Sequence, residues 1–595
     1  MPEVHNIYKD QVLSSIPRLL SLMDRNRFSP TYGCLDRGYW HYKAITDYPA
    51  AVYQQGILAL ALLYKNNFEG NDYFGNKQLF EWISGGISFW AGIQKKDGSF
   101  DEWYPNEHSY VATAFTSYAI SETVLLLKEE LPKGLKEKAI GALIKSGAWL
   151  ARHKDEVVLN HTAGAVAALY NIFKLTDDKR YSEALNQAIK TMIKNQSNEG
   201  WFYEYYGADP GYLGLSVDFM AKYYKRSGDD TVLGPLKKAL RFMACFVHPD
   251  SSYGGEYGSR NNKSLFPHGL EILADRLEEA RYILAAFYRG LLGGRSHCLK
   301  RLDDRYLVFF FINNYTQAML DFKARDFIKA DTCHSGESVK TFSDAGLVVK
   351  INKLFYMVCN YKKSGVFKIF ALNNKHPFLV YSDAGYFGKF NNRKIISSQW
   401  LNRPMAKNTD FSIKDEGRKI IIKIDCPLIY VNYSVPMRKV LIPFRIFNLT
   451  LGMSDSIASR FSVWLKNKMI VKNYFCPLRL ERHIFIEDDK ISIRDHIYSA
   501  KKLKFNLFSI ERSSTAMHVP STRYYEPADL QDACCLDKMD FSETLNRKRE
   551  FSLYREFLFK EKDIGVRFEL DGKVIHSSII AQNVEKKDNL NRTSV

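Results

Sequence analysis

Several common routes to function have no support in this 595-residue chain. Its 9 cysteines form no CxxC pair and leave an odd count, so the spacing suggests neither a zinc ribbon nor a disulfide framework and suits a reducing compartment. No His/Cys/Asp cluster has metal-ligand spacing and no glycine-rich phosphate loop is present, so neither a metal nor an organic cofactor is expected. The longest apolar run, Ile57 to Tyr64, is too short to cross a bilayer. The opening Met1-Pro2-Glu3-Val4-His5 lacks the charged-then-apolar pattern of a secretory signal, and a cytoplasmic location is the expectation. Basic residues are numerous but dispersed, and no helix-turn-helix, finger or RNA-binding signature accompanies them, so nucleic acid is not an expected partner.

The chain does have a formal net charge of +18 and 36 Tyr with 39 Phe. That combination suits a ring-lined groove that attracts a polyanion. The length exceeds what one hydrophobic core organises, so two large domains are expected. Oligomeric state is not readable.

Up to about residue 300, apolar positions recur at three-to-four spacing. They mark helices over Leu13–Met23, Ala50–Tyr64, Lys77–Trp90, Tyr110–Leu127, Leu135–Ala151, Ala163–Phe173, Tyr181–Lys194, Leu213–Arg226, Val232–Phe246 and Leu270–Leu292. An internal repeat sharpens this reading. Gln94, Gly98, Phe100, Glu102, Tyr104 and Tyr110 recur, at one constant displacement, as Gln196, Gly200, Phe202, Glu204, Tyr206 and Tyr212. Ser252-Tyr253-Gly254-Gly255-Glu256-Tyr257 is a looser third copy. A motif that returns after every hairpin or two predicts an (α/α) toroid, with like helix ends facing one cavity.

From about residue 325 the pattern changes to short β-branched and aromatic runs bounded by turn residues, Arg438–Phe447 among them. The expected fold class is therefore α+β multidomain: an N-terminal (α/α) toroid over 1–300, a connection over 301–330, an antiparallel β-sandwich over 331–585 and a loose tail over 586–595.

Polar and aromatic groups interrupt the helical pattern between Leu159 and Arg260 and read as one rim on interhelical loops. Asn160 and His161 stand at a helix start, Tyr212 and Arg260 at later loops, and Trp103, Tyr104, Tyr205 and Tyr206 supply rings for sugar faces. His108 and His268 are further candidates for the cavity lining. Each also has a plainer reading: Asn160 as a helix cap, Tyr212 as a packing residue like Tyr110, Arg260 as a solvated loop residue, and Glu102, Glu204 and Glu256 as loop-bracing acceptors.

A helical toroid followed by a β-sandwich, with Asn160-His161 on one helix and Gly211-Tyr212 some fifty residues later, resembles the heparinase II/III-like polysaccharide lyases, relatives of alginate lyases and uronyl epimerases. The resemblance implies β-elimination on a uronic-acid polysaccharide. Asn160 and His161 would neutralise the uronate carboxylate with Arg260 as a further contact, and Tyr212 would act as general base and acid. The chain departs from that family at the β-domain histidine: Tyr361-Lys362-Lys363-Ser364-Gly365-Val366-Phe367 contains none, and His376 follows the strand. His334 is the remaining candidate donor. Three alternatives stay open: a glycoside hydrolase using Glu204 and Glu256, a uronyl C5-epimerase, and a non-catalytic carbohydrate-binding protein.

Overall fold

A computed structural model describes residues 2–581 apart from 156, 206, 326–335, 373–376, 393, 400–408, 432–437, 467–473 and 515–538. Tyr206, His334 and His376 therefore lie outside the described residues. No helix among the described residues is long and apolar enough to cross a membrane.

Six inner helices close a ring. Gly56–Lys65, Tyr110–Leu126, Leu159–Thr176, Pro210–Ser227, Pro267–Leu273 and Ile312–Leu320 pack each on the next, and the last returns to the first. These helices are buried almost all round: Tyr110–Leu126 is buried without interruption from Ala112 to Val124. Of the intervening helices, Lys179–Lys194 lies outside and buries one stripe only. That stripe is Tyr181, Leu185, Ile189 and Met192, the spacing of a surface helix.

The stretch expected as a connection thus supplies the sixth ring helix, and the helical body runs on to Leu320. The expected helix over Leu270–Leu292 is two, Pro267–Leu273 and Glu278–Leu292, parted by a short turn.

The 102-residue repeat is a structural one. Gln94 Nε2 donates to Gly98 O and to Ala142 O at 3.1 and 2.8 Å, and Gln196 Nε2 donates to Gly200 O and Pro235 O at 2.8 and 2.9 Å. Each glutamine laces its loop to the following outer helix. Gly98 and Gly200 have φ of +101° and +104°, and a Cβ on either would stand 2.3 Å from the carbonyl oxygen of Lys145 or Lys238. Only glycine fits there.

The β part has a five-stranded antiparallel sheet running in chain order from Ser338–Phe342 to Phe378–Asp383. It faces a ten-stranded antiparallel sheet whose long centre is Ile420–Val431, Tyr474–Ile486, Lys490–Ser499 and Glu550–Phe559. Three strands of the smaller sheet, Leu347–Ile351, Phe355–Asn360 and Val366–Ala371, are buried along their whole length. The two-residue strand period explains why. Leu347, Val349, Tyr356, Val358 and Phe370 join the core of the helical ring, while Val348, Phe355, Met357, Phe367 and Ile369 join the sandwich core.

Inside the sandwich, Arg482 and Arg555 are fully buried with Asp383 and Asp495. Arg482 meets Asp495 at 2.7 Å and Asp383 at 3.0 Å; Arg555 meets Asp383 at 2.7 Å and Asp495 at 2.6 Å. Asp383 also accepts from Gly385 N at 2.7 Å, in the turn that follows its strand.

Arg438–Phe447, expected as a strand, is part of a helix, Arg438–Leu449, in an insertion between two strands of the large sheet. Phe444 and Phe447, three apart, share a face that packs on Phe461 at 5.8 and 4.3 Å, and Phe444 also reaches Tyr104 at 4.9 Å. Helical spacing decides over β-propensity here. Among the cysteines, Cys34, Cys298, Cys359, Cys426 and Cys476 are free, whereas Cys245 is disulfide-bonded, which the scattered spacing did not foretell.

Candidate functional site at the mouth of the ring

The loops that lead into the inner helices meet at one end of the ring. Glu204 pairs by a β-bridge with Val158, just ahead of the helix that carries Asn160. Asn160 lies in the first turn of that helix, 3% exposed, and its Nδ2 donates to Glu204 Oε2 at 2.6 Å. No side chain caps this helix; its cap position is Val158. Burial pushes the Glu204 carboxyl up to about 8, with Asp209 and Asp155 adding to the rise and Arg260 and Asn160 opposing it.

His161 Nδ1 lies 2.9 Å from Asp155 Oδ2, so the carboxylate orients the ring. Asp155 also accepts from Val158 N at 3.1 Å and, through its backbone oxygen, from Thr162 Oγ1 at 2.9 Å.

Asp209 ties two candidates together. It caps the Pro210–Ser227 helix by accepting from Tyr212 N at 3.0 Å, and it accepts from Arg260 N at 2.7 Å. Aspartate before a proline at the first helical position is a strong helix start; that signal could have picked out Asp209, which the sequence reading passed over. Tyr212 is half-buried against the ring core, as is its repeat partner Tyr110. The Arg260 guanidinium sits 4.2 Å from the ring centroid of Tyr205, whose φ of +50° is left-handed. That is the distance of a cation–π contact.

A second arginine continues the rim. Arg305 pairs with Glu102 at 2.9 Å and lies 3.8 Å from the centroid of Trp103, half of whose surface is exposed. Next to it, the Tyr306 hydroxyl, pushed up by burial, is held back in part by the charges of Arg305 and Arg260. Glu102 and Glu204, equivalent in the repeat, therefore each face an arginine. Nothing in the sequence distinguished Arg305 or Tyr306, because they come from the stretch read as a connection.

The β part closes the rim from below. Lys363 reaches from the five-stranded sheet into the loop before Pro267–Leu273, donating to Glu256 O and Gly258 O at 2.7 Å and to Asn261 Oδ1. Burial lowers its ammonium to about 7 against the pull of Asp209 and Glu256. Lys368 meets Glu256 at 3.0 Å. Burial alone would raise the Glu256 carboxyl, but Lys368 and Lys263 bring it down to about 2.

The remaining candidates lie apart from these bonds. Tyr104 packs under Phe444 of the inserted helix. His108 is buried against Asp97 and Ser99, at 2.6 and 2.8 Å from its Nδ1. His268 is 1% exposed, and its Nε2 lies 2.7 Å from Asp321. Burial lowers its pKa.

Residues 54–266, which include this rim as far as Arg260, match the family model of the ulvan lyase N-terminal domain. Comparison with curated proteins found no match. Among solved structures, the chondroitin AC lyase of Streptomyces coelicolor A3 in complex with chondroitin sulphate aligns over 95% of this chain and 89% of its own, at 10% identity and a TM-score of 0.50. Heparinase III aligns over 97% and 91%, at 12% identity and a TM-score of 0.48. The first of these likenesses bears on the fold, which is a helical ring joined to a β-sandwich in both chains; the match to the family model bears on the kind of protein. The chain thus shares with that chondroitin lyase a helical ring joined to a β-sandwich, and residues 54–266 within its ring are similar to an ulvan lyase N-terminal domain.

Proposed function

We propose that the protein cleaves an acidic, uronic-acid-containing polysaccharide by β-elimination at the mouth of the ring. The observation that supports this reading is the bonding of the Asn160 amide to Glu204 and of the Tyr212 and Arg260 backbone N–H groups to Asp209, which holds two helix starts and one loop at the same end of the ring. Elimination removes the proton on C5, which is poorly acidic while the adjacent carboxylate keeps its full charge. The Asn160 amide, with one N–H already committed to Glu204, offers its other to that carboxylate; Arg260 supplies a cation. One well-placed donor of this kind is worth ~3 kcal/mol in the transition state.

Tyr212 takes the C5 proton and returns one to the departing O4. A phenol starts near a pKa of ~10, so this role requires a cation beside the hydroxyl, for which Arg260 is the candidate. His161, oriented by Asp155, is a second donor toward the carboxylate. Trp103 and Tyr205, each stacked with an arginine, present ring faces to flanking sugars. Returning the proton to the opposite face of C5 would make the same residues an epimerase.

The opposed shifts of Glu204 and Glu256 favour one second reading, a glycoside hydrolase with Glu204 as acid. The two are separated by incubating the protein with ulvan, heparan sulfate and chondroitin sulphate. Elimination yields an unsaturated uronide that absorbs in the ultraviolet. New reducing ends without that absorbance would support the hydrolase, and binding without either product would leave a carbohydrate-binding protein.

A further inference from the structure

The two helices inserted into the large sheet, Arg438–Leu449 and Asp455–Lys466, carry a broad exposed apolar surface. Among the described residues, no other stretch of similar length exposes as many large hydrophobic side chains as Val440 to Trp464. Scattered exposed apolar residues need no explanation, but a contiguous patch marks a docking surface.

Helical spacing sorts the two faces. In the first helix Phe444 and Phe447 turn inward onto Phe461. Ile442, Ile446 and Leu449, four and then three residues apart, form a stripe on the other side, each more than half exposed. In the second helix Ala458 is buried, while Ile457 and Trp464, seven apart, face outward. Leu451 and Met453, in the turn between the helices, are 61% and 67% exposed.

On their outward side the helices carry charge of one sign. Lys439 and Arg460 are exposed beside the stripes. The single acidic residue between Lys439 and Leu465 is Asp455, and it is turned to the ring, with its Oδ2 3.0 Å from His153 Nε2. Loops of the ring extend the same surface. Arg445 meets Asp47 at 3.1 Å, and Pro30, Ile45 and Arg445 line one groove. Phe28, Tyr42 and Ile45 are all more than 80% exposed. Arg27 lies 5.8 Å from the Phe28 centroid and Lys43 5.3 Å from that of Tyr42, whereas the nearby carboxylates of Asp24 and Asp36 are buried.

We propose that this surface docks on an anionic phospholipid bilayer. The apolar stripes enter the boundary between headgroups and acyl chains, and the lysines and arginines meet the lipid anions. Amphipathic helices with a basic fringe lie in a membrane interface in this way, without spanning it. A second copy of the chain fits this face less well, because a self-complementary contact would bring its basic residues together. The insertion is tied to the loop that carries Trp103: Asn106 Nδ2 donates to Asn448 O at 2.8 Å, and Tyr104 packs on Phe444 at 4.9 Å. Docking therefore brings this loop of the ring mouth near the bilayer.

The test is flotation of the full-length protein with vesicles of phosphatidylcholine alone and of phosphatidylcholine mixed with phosphatidylserine. Binding to the mixed vesicles is expected, with less on the neutral ones and a decline as salt rises. Lys439→Gln and Arg460→Gln should each weaken binding to the mixed vesicles about fivefold, the worth of one basic residue near such a surface. Ile446→Glu should remove it. All three side chains are exposed, so Tm should be unchanged in each variant. No flotation with the mixed vesicles overturns the proposal, as does undiminished flotation of Ile446→Glu. A dimer seen by light scattering that Ile446→Glu breaks, in a chain that ignores vesicles, overturns it too, since a second copy would then cover the face.

Discussion

Asn160 Nδ2 donates to Glu204 Oε2 across 2.6 Å, joining the helix that opens with Leu159 to the loop that precedes Pro210. The bond fixes which end of the amide is committed and keeps a buried carboxyl beside an arginine. It also makes stability sensitive to pH. The folded carboxyl is raised to about 8, against ~4.3 for an ordinary glutamate. The folded chain therefore holds this proton over a window in which the unfolded chain has released it. Stability from this group is fully present below ~4.3 and is lost as pH climbs toward 8. Glu204→Gln should flatten that slope, which urea midpoints on either side of the window will show; parallel curves for the two proteins would contradict the assignment.

Tyr212→Phe should lower the rate of unsaturated product formation by ~10²–10⁴, the range for loss of a general base. Binding measured with the same polymer should be unchanged, because the phenyl ring retains its packing against the ring core. Unaltered turnover would remove Tyr212 from the mechanism.

Replacing Arg260 by alanine should cost ~10²–10³ in kcat, with a smaller change in KM, since the guanidinium acts mainly on charge that develops during the reaction. Its backbone N–H would still bond Asp209, so the loop should persist. A pure KM effect would make Arg260 a ground-state contact only.

In the sandwich, Asp495→Asn leaves two buried arginines facing one carboxylate. Removing one partner of a buried ion pair typically costs ~3–5 kcal/mol. Calorimetry should show a marked fall in Tm, while the pH slope attributed to Glu204 remains.

Gly200→Ala places a Cβ 2.3 Å from Lys238 O at a φ of +104°. Backbone strain of this kind costs ~1–3 kcal/mol. Gly98→Ala should behave alike, and the two losses should add, because they sit in different hairpins. Unequal effects would mean that the two loops do not share one role.

The sequence by itself determined whatever rests on short-range regularity. Apolar spacing specified most of the ring helices, strand alternation specified the sandwich, and the constant displacement from Gln94 to Gln196 marked the laced loops, because a helix or strand buries its apolar face at a fixed period. It also singled out Asn160, Tyr205, Tyr212 and Arg260 as candidates for one rim. Only the tertiary structure decided what depends on distant partners. It closed the ring with Ile312–Leu320, made a helix of Arg438–Phe447 against Tyr104, tied the backbones of Tyr212 and Arg260 together through Asp209, and brought Asp455 to His108. Such juxtapositions depend on how packed surfaces meet, and no local pattern along the chain encodes which buried carboxylate a given arginine, lysine or histidine will find.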